Sequence, residues 1–340
     1  MSSAKRMSSA TLLGTAAVCA VTIVLLAGCG SGSSESQIVG LSIPPGGSQT
    51  PLGVFPIRRL QRPSWMSPDA KKGDLLYIAT AGNNDVEVYS YPKAKLVGTL
   101  TNLNWPEGEC VDKDGNIWIT NFGISGAGDV VEYAHGGTTP VATLSDPYQH
   151  PLGCSVDPTT GDLAVTSTYG TSSPGQGDVA IYKKARGTPK TYTDQEIFYY
   201  YFCGFDSSGN LFIDGISSGS AVEFAELSKS SKTFTNLTLN KSIAHPGGVQ
   251  WDGKYVAFGD QWNPIIYEFA ISGSNGEEVS STPLDGASGV AQFFIDDNTV
   301  IGPNVSNDLV GFWRYPAGGT ATKTLTGLDE PVGTAISTAK

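Results

Sequence analysis

The chain has 340 residues, 39% of them hydrophobic and only 16% charged, with 42 Gly and 20 Pro. Lys and Arg number 21 against 32 Asp and Glu, a net charge of −11, which excludes the concentrated positive surface that a nucleic-acid binder needs. Apolar residues spread along the whole chain exclude a multi-pass membrane protein and a disordered one, and the high Gly content points to many short strands.

Residues 1–9 carry Lys5 and Arg6 and no acid, and residues 11–28 are almost wholly apolar or small. A charged start followed by such a run predicts a signal peptide over 1–28. Its end, Leu26-Ala27-Gly28-Cys29, resembles a bacterial lipobox, in which small residues precede a Cys that becomes lipidated. The resemblance implies a lipid on Cys29 and a body held outside the cytoplasm on a membrane tether. Gly30, where Asp favours inner-membrane retention in many such lipoproteins, favours the outer membrane in a double-membrane organism. Loss of 1–28 removes two bases and no acid, leaving −13. Residues 29–73 read as the lipidated Cys, a flexible Ser/Gly linker and a Pro-rich lead-in that packs across the folded body.

Residues 74–338 are repetitive. Segments 106–121, 151–167, 200–215, 246–260 and, more loosely, 288–304 share one pattern: a Gly or small residue, an apolar strand, a Gly/Asn/Asp turn and a second strand. Third strands with alternating apolar residues and an aromatic follow at 86–91, 130–134, 179–183, 221–225, 265–270 and 309–315. Weaker fourth strands follow at 95–100, 140–144, 232–239 and 323–328. The opening residues Gly108, Gly153, Phe202, Gly248, Gly289 and Gly333 recur every 41 to 49 positions. Four strands at that period predict an all-β, six-bladed β-propeller with four antiparallel strands per blade. Blade 1 lacks its opening strand, and the segment from Glu330 supplies it, so the C-terminal strand completes blade 1 and closes the ring.

The string ATAGNNDVEVY over 79–89 resembles the NHL-repeat pattern, a Gly-Asn-Asn turn before a hydrophobic strand. The resemblance covers about residues 74–338. It is specific for fold and poor for function, because propellers host enzymes, ligand binders and scaffolds alike.

Of the five Cys, Cys19 leaves with the signal and Cys29 is the lipid site. Cys110, Cys154 and Cys203 lie in corresponding strands of successive repeats, and an odd count leaves at least one free thiol. Burial as small hydrophobes is the simplest reading. A disulfide, if one forms, is expected between Cys154 and Cys203, in the same register of neighbouring repeats.

Propellers place ligands on the axis, where loops entering the innermost strands converge. The residues three before each opening position are Glu330, Trp105, His150, Tyr199, His245 and Gly286, in blade order. His150, His245 and Glu330 fall on alternate blades and form a candidate site for zinc or iron. This resembles, in spacing only, the propeller lyase domain of peptide-amidating enzymes, whose zinc is held by three His from alternate blades. The bland reading of these residues is loop capping. A second candidate set is Asn121, Asp214, Asp260 and Asn304 at the ends of second strands. Such a mix, with Glu107 as a further partner, resembles the axial cation site of gluconolactonase-like propellers and would suit calcium or magnesium. The plain alternative is turn formation. The Asp112-Lys113-Asp114-Gly115 string reads as a hairpin turn, since it lacks the bidentate Glu of a calcium loop. Trp105, Tyr199 and Tyr201 at the ring entrance are candidates for stacking on a sugar or peptide, with Glu107 as a further ligand-binding candidate. A P-loop motif is absent from the sequence. The expectation is a lipid-anchored envelope module that binds a protein, peptide or carbohydrate, with no certain cofactor and no nucleic-acid partner. A metal-dependent lactonase-like hydrolase or lyase, holding zinc, iron or calcium on the axis, is the alternative.

Overall fold

A computed structural model describes residues 63–340 apart from 125, 146–148 and 171–174. The signal, the lipobox at Cys29 and the linker to residue 62 lie outside the described residues. The rest is six antiparallel sheets arranged as a six-bladed β-propeller. The innermost strands are Pro331–Ser337 in blade 1, then Pro106–Val111, Gln149–Val156, Tyr199–Phe205, Pro246–Trp251 and Phe294–Asp296 in blades 2 to 6. In blade 1 the C-terminal strand pairs with Leu75–Thr80, with Tyr77 opposite Ala335 and Ala79 opposite Gly333. Every side chain of Pro331–Ser337 is buried. Ring closure by the C-terminus, as the repeat spacing predicts, hides an edge that would otherwise pair with another chain.

Alternation of apolar residues along each strand places side chains on both faces of every blade, so each blade interface carries its own core. Tyr77, Ile117 and Val332 pack between blades 1 and 2. Trp118, Leu163 and Tyr182 pack between blades 2 and 3. Leu76, Ile301 and Phe312 pack between blades 6 and 1. Each such side chain contributes about 1.5–3 kcal/mol by leaving water.

The glycine that opens an innermost strand has a spatial cause. A Cβ on Gly108 would stand 2.3 Å from the carbonyl oxygen of Leu152, and one on Gly333 would stand 2.2 Å from that of Glu107. Innermost strands of neighbouring blades approach too closely there for any side chain. Threonine hydroxyls sew the same seam. Thr120 donates to the Leu152 carbonyl at 2.7 Å and accepts from Gly108 N–H at 2.8 Å. Thr166 donates to the Tyr201 carbonyl at 2.6 Å and accepts from Gly153 N–H at 3.1 Å.

Several details differ from the sequence reading. The blade 6 segment 288–304 yields only a short inner strand, Phe294–Asp296, because Gly289 takes φ +88° and residues 287–293 leave the ladder. Blades 3 and 5 have outer strands, Lys190–Tyr192 and Asn275–Asp285, that polar composition hid. The expected strand 232–239 splits: Thr235–Asn236 completes blade 4, while Thr238–Leu239 runs parallel to Asn275 and Gly276 of blade 5. Part of the lead-in is built into the fold, since Trp65–Met66 adds a fifth strand to blade 1, opposite Thr99 and Gly98.

The cysteine pairing requires a correction. The disulfide joins Cys110 to Cys154, with Cα atoms 5.7 Å apart, and Cys203 is a buried free thiol. Register explains it. Cys154 and Cys203 follow their opening residues by one position, so both side chains point back toward the preceding blade; their sulfurs lie 3.9 Å from the Trp118 carbonyl and 4.0 Å from the Ala164 carbonyl. Cys110 follows Gly108 by two, and a one-residue offset reverses the face. It points forward and meets Cys154.

Candidate functional site

Each blade's strands run alternately down and up, which sorts its connections onto two faces. Connections into the innermost strands and between second and third strands form one face, here the entrance face. At its centre is a small cavity of about 40 Å3 lined by Trp105, Glu107, Leu152, Tyr201, Ala291 and Glu330, among others.

The ring alignment is physically real at three positions. The carbonyls of Trp105, His245 and Glu330 accept the backbone N–H of the residue just past a second strand, Phe122, Gln261 and Ala81 respectively. Trp105 is held further by Asn84, whose side-chain oxygen accepts its N–H at 2.8 Å across the blade 1–2 boundary. Its backbone is left-handed, φ +58°, an uncommon state for a bulky residue. Glu330 shares that state at φ +50°.

The Trp105 indole N–H donates to Glu107 Oε1 at 2.7 Å. Glu107 is 4% exposed. Burial raises its pKa to about 8, opposed by the indole hydrogen bond and reinforced by the neighbouring Glu330 carboxylate. Glu330 is raised as well, by burial and then by Asp329 and Asp308. Around this mouth runs an aromatic rim on blades 3 to 5. His150 lies 4.8 Å from the Phe122 ring and 4.7 Å from Tyr169. Tyr199 meets Phe198 at 4.8 Å, edge on. His245 stacks on Trp262 at 4.7 Å and meets Tyr201 at 5.3 Å. Trp262 itself is 60% exposed.

Of the sequence candidates, Trp105, Glu107, Tyr201 and Glu330 are brought together at the mouth, and Tyr199 stands outside the cavity lining. His150 and His245 are engaged in the rim, through the ring contacts above and through Nδ1, 2.9 Å from the Phe122 carbonyl and 3.2 Å from that of Pro246 respectively. Burial lowers the His245 pKa. Among the described residues no three His, Cys, Asp or Glu side chains converge as a group able to hold a metal ion. Asn121, Asp260 and Asn304 share one structural role, in which each side chain accepts the backbone N–H of the loop entering its blade, from Asn104, Ala244 and Ser288. Asp214 belongs one residue earlier in register and takes the place of Thr120 and Thr166. Its Oδ1 accepts the Phe202 N–H at 2.8 Å, and burial drives its pKa well up.

Sequence reasoning passed over Glu109. It is 2% exposed, and among the described residues neither carboxylate oxygen meets a hydrogen-bond partner. Burial raises its pKa well above the ordinary value, with only the nearby Ala335 backbone opposing. The signal was available: Cys154, Cys203 and Val249 occupy the same register, so an acid there is out of pattern. A larger groove of about 610 Å3 lies at the opposite end, between blades 2 and 3. Two of its acids are held by their own turns. Asp112 accepts from Asp114 and Asn116 N–H, as the hairpin reading expects, and Asp157 accepts from Thr159 and Thr160.

No family model and no curated protein matches the chain. Solved structures do. A chain from a nidogen/laminin complex superimposes with a TM-score of 0.65 at 12% identity, covering 79% of this chain and all of that one. A protein of unknown function from Bacteroides caccae gives 0.59 at 10% identity, covering 78% and 99%. A functionally unknown protein from Desulfotomaculum acetoxidans gives 0.55 at 10%, also over 78% and 99%. At such identities the likeness is one of fold.

Proposed function

We propose that this chain is a binding module of the cell envelope, lipid-anchored through Cys29 outside the cytoplasm, that holds a ligand at its entrance face without converting it. The observation that carries the reading is Trp105. A half-buried indole sits on the axis in a left-handed backbone and is fixed by bonds from two blades. Backbone strain concentrates where a fold positions a side chain for use. The aromatic rim beside it offers stacking surface for a peptide or sugar. A propeller taken from a complex of two proteins is one structural neighbour, which supports a protein or peptide ligand. The lipobox and the Ser/Gly linker support the tether.

The test compares the full chain, extracted in neutral detergent, with a Trp105→Ala/Tyr201→Ala variant on peptide and glycan arrays. A ligand retained by the wild type, lost by the variant and recovered with unchanged mass is the expected result. Conversion of the bound ligand, or binding indifferent to both substitutions, overturns it. In parallel, Cys29→Ala is expected to shift the protein from the membrane to the soluble fraction.

A further inference from the structure

Charge divides between the two faces of the propeller. The entrance-face loops 81–84, 101–105, 122–128, 193–198, 217–221, 261–264, 286–293, 305–308 and 327–330 contain no Lys or Arg. Lys241, in the segment entering blade 5, lies at that blade's outer edge, 3.8 Å from Glu278. The bases gather on the opposite face instead, in or beside its turns: Lys93, Lys113, Lys184, Arg186, Lys254 and Arg314. The entrance face carries Asp85, Asp308, Asp329 and Glu330 around the mouth, with Glu107 beneath.

Glu107 adds a second, independent feature. Its Oε1 is taken by the Trp105 indole, while among the described residues none donates to Oε2, although the residue is 4% exposed and lines the cavity. A buried carboxyl with one unused oxygen, walled by Trp105, Tyr201 and Phe202, has the composition that recognises an organic cation: aromatic faces at the sides and, below, an acid that releases its proton when a cation takes the proton's place. The cavity, about 40 Å3, accepts the tip of a side chain and no more. A guanidinium fork is best met by two parallel carboxylate oxygens. Glu107 presents one, which favours a compact ammonium with freely rotating donors.

We infer that the mouth formed by Trp105, Glu107 and Glu330 receives a lysine ammonium group presented by a basic segment of a protein partner. This rests on the entrance-face reading above and gives its ligand a chemistry. The acidic surround steers such a segment inward, an attraction that weakens as salt rises.

Hexalysine, hexa-arginine and hexaglutamate are the probes, titrated into the full chain in neutral detergent and followed by calorimetry. Hexalysine is expected to bind saturably, one per chain, more tightly than hexa-arginine, with no binding of hexaglutamate. Glu107→Gln is expected to weaken hexalysine at least tenfold and Glu330→Gln severalfold, while Lys184→Ala on the far face leaves it unchanged. Glu330→Gln alters a half-buried rim residue, so it reports even if the Glu107 variant misfolds, and circular dichroism checks both. Equal or tighter binding of hexa-arginine, or hexalysine binding indifferent to both Glu substitutions, overturns the assignment. An array ligand that requires Trp105 while hexalysine fails to bind overturns the ammonium assignment and leaves the entrance-face reading standing. Failure of both probes and arrays overturns both.

Discussion

Trp105 and Glu330 occupy the same position of the repeat in adjacent blades, and both hold left-handed backbones, at φ +58° and +50°. Neither is a residue type that favours this conformation, which costs an ordinary L-residue roughly 1–2 kcal/mol. The two carbonyls each accept an N–H from the residue past a second strand, which tethers both loops. The mouth is therefore assembled against local preference.

Glu330→Gly removes the Cβ penalty while keeping the bonds. Stability in urea is expected to rise, by about 1 kcal/mol or somewhat less after the added freedom of the unfolded chain is counted. Hexalysine affinity is expected to fall in the same variant. A fall in stability would show that the Glu330 side chain contributes more to folding than its backbone costs.

The buried carboxyls set a pH dependence. Glu107 titrates at about 8 in the folded chain against an ordinary 4.5, so the folded state holds a proton that the unfolded state releases between those values. That contribution to stability is complete below about pH 4.5 and lost as pH rises to about 8, at about 1.4 kcal/mol per pH unit for one proton. Asp85, raised to about 6, acts with the same sign over a narrower window. Urea unfolding across pH 5–8 is expected to show stability falling with pH, and Glu107→Gln to flatten the slope by about one proton. A slope that Glu107→Gln leaves unchanged would mean the carboxyl ionises freely when folded.

The architecture was legible because a propeller is periodic. Turn chemistry at Asp112–Asn116, alternation in the third strands and the 41–49-residue spacing all repeat, and repetition amplifies weak local signals. Ring closure followed from one strand missing at the front and one surplus at the back. The mouth was legible in part: the alignment that placed Trp105 and Glu330 together also placed His150 and His245 in their ring, and only contacts reveal that those two face the aromatic rim. What stayed hidden depends on single-residue offsets or on neighbours. Cys110 differs from Cys154 by one register step, and that step selects the disulfide. Asp214 and Asp260 look alike in sequence, yet one bonds the inner strand of its own blade at Phe202 and the other tethers a loop.

That disulfide closes 44 residues of chain across blades 2 and 3. A Cys110→Ala/Cys154→Ala variant is expected to lose about 2–4 kcal/mol, measured by denaturant midpoint. Cys203 is expected to resist thiol reagents in the folded chain, because burial removes access and holds its pKa well above that of a free thiol. Labelling of one thiol per body only after denaturation checks it; rapid labelling of the native chain would place Cys203 at an open edge. These outcomes refer to residues 63–340.

The seam between blades 1 and 2 offers the sharpest test of the closed ring. A Cβ on Gly333 would meet the Glu107 carbonyl oxygen at 2.2 Å and Gln292 Oε1 at 3.1 Å. The first of these is backbone and cannot swing aside, so Gly333→Ala must push the closing strand off its neighbour. The strand is bonded to Leu75–Thr80 along its length and cannot shift alone. A loss of about 2–4 kcal/mol is expected, in the range of overpacked cores and broken seams. Gly73→Ala is the control, since nothing lies within 4 Å of its Cβ and its backbone is extended; it is expected to stay within about 0.5 kcal/mol of wild type. Because Glu107 lies on the strand from which the closing strand is pushed, and its own carbonyl is the atom struck, Gly333→Ala is also expected to weaken hexalysine binding, and the two effects should appear together. Unchanged stability in Gly333→Ala would mean that the innermost strands of blades 1 and 2 do not meet, and with that the ring would not close where the C-terminal strand places it.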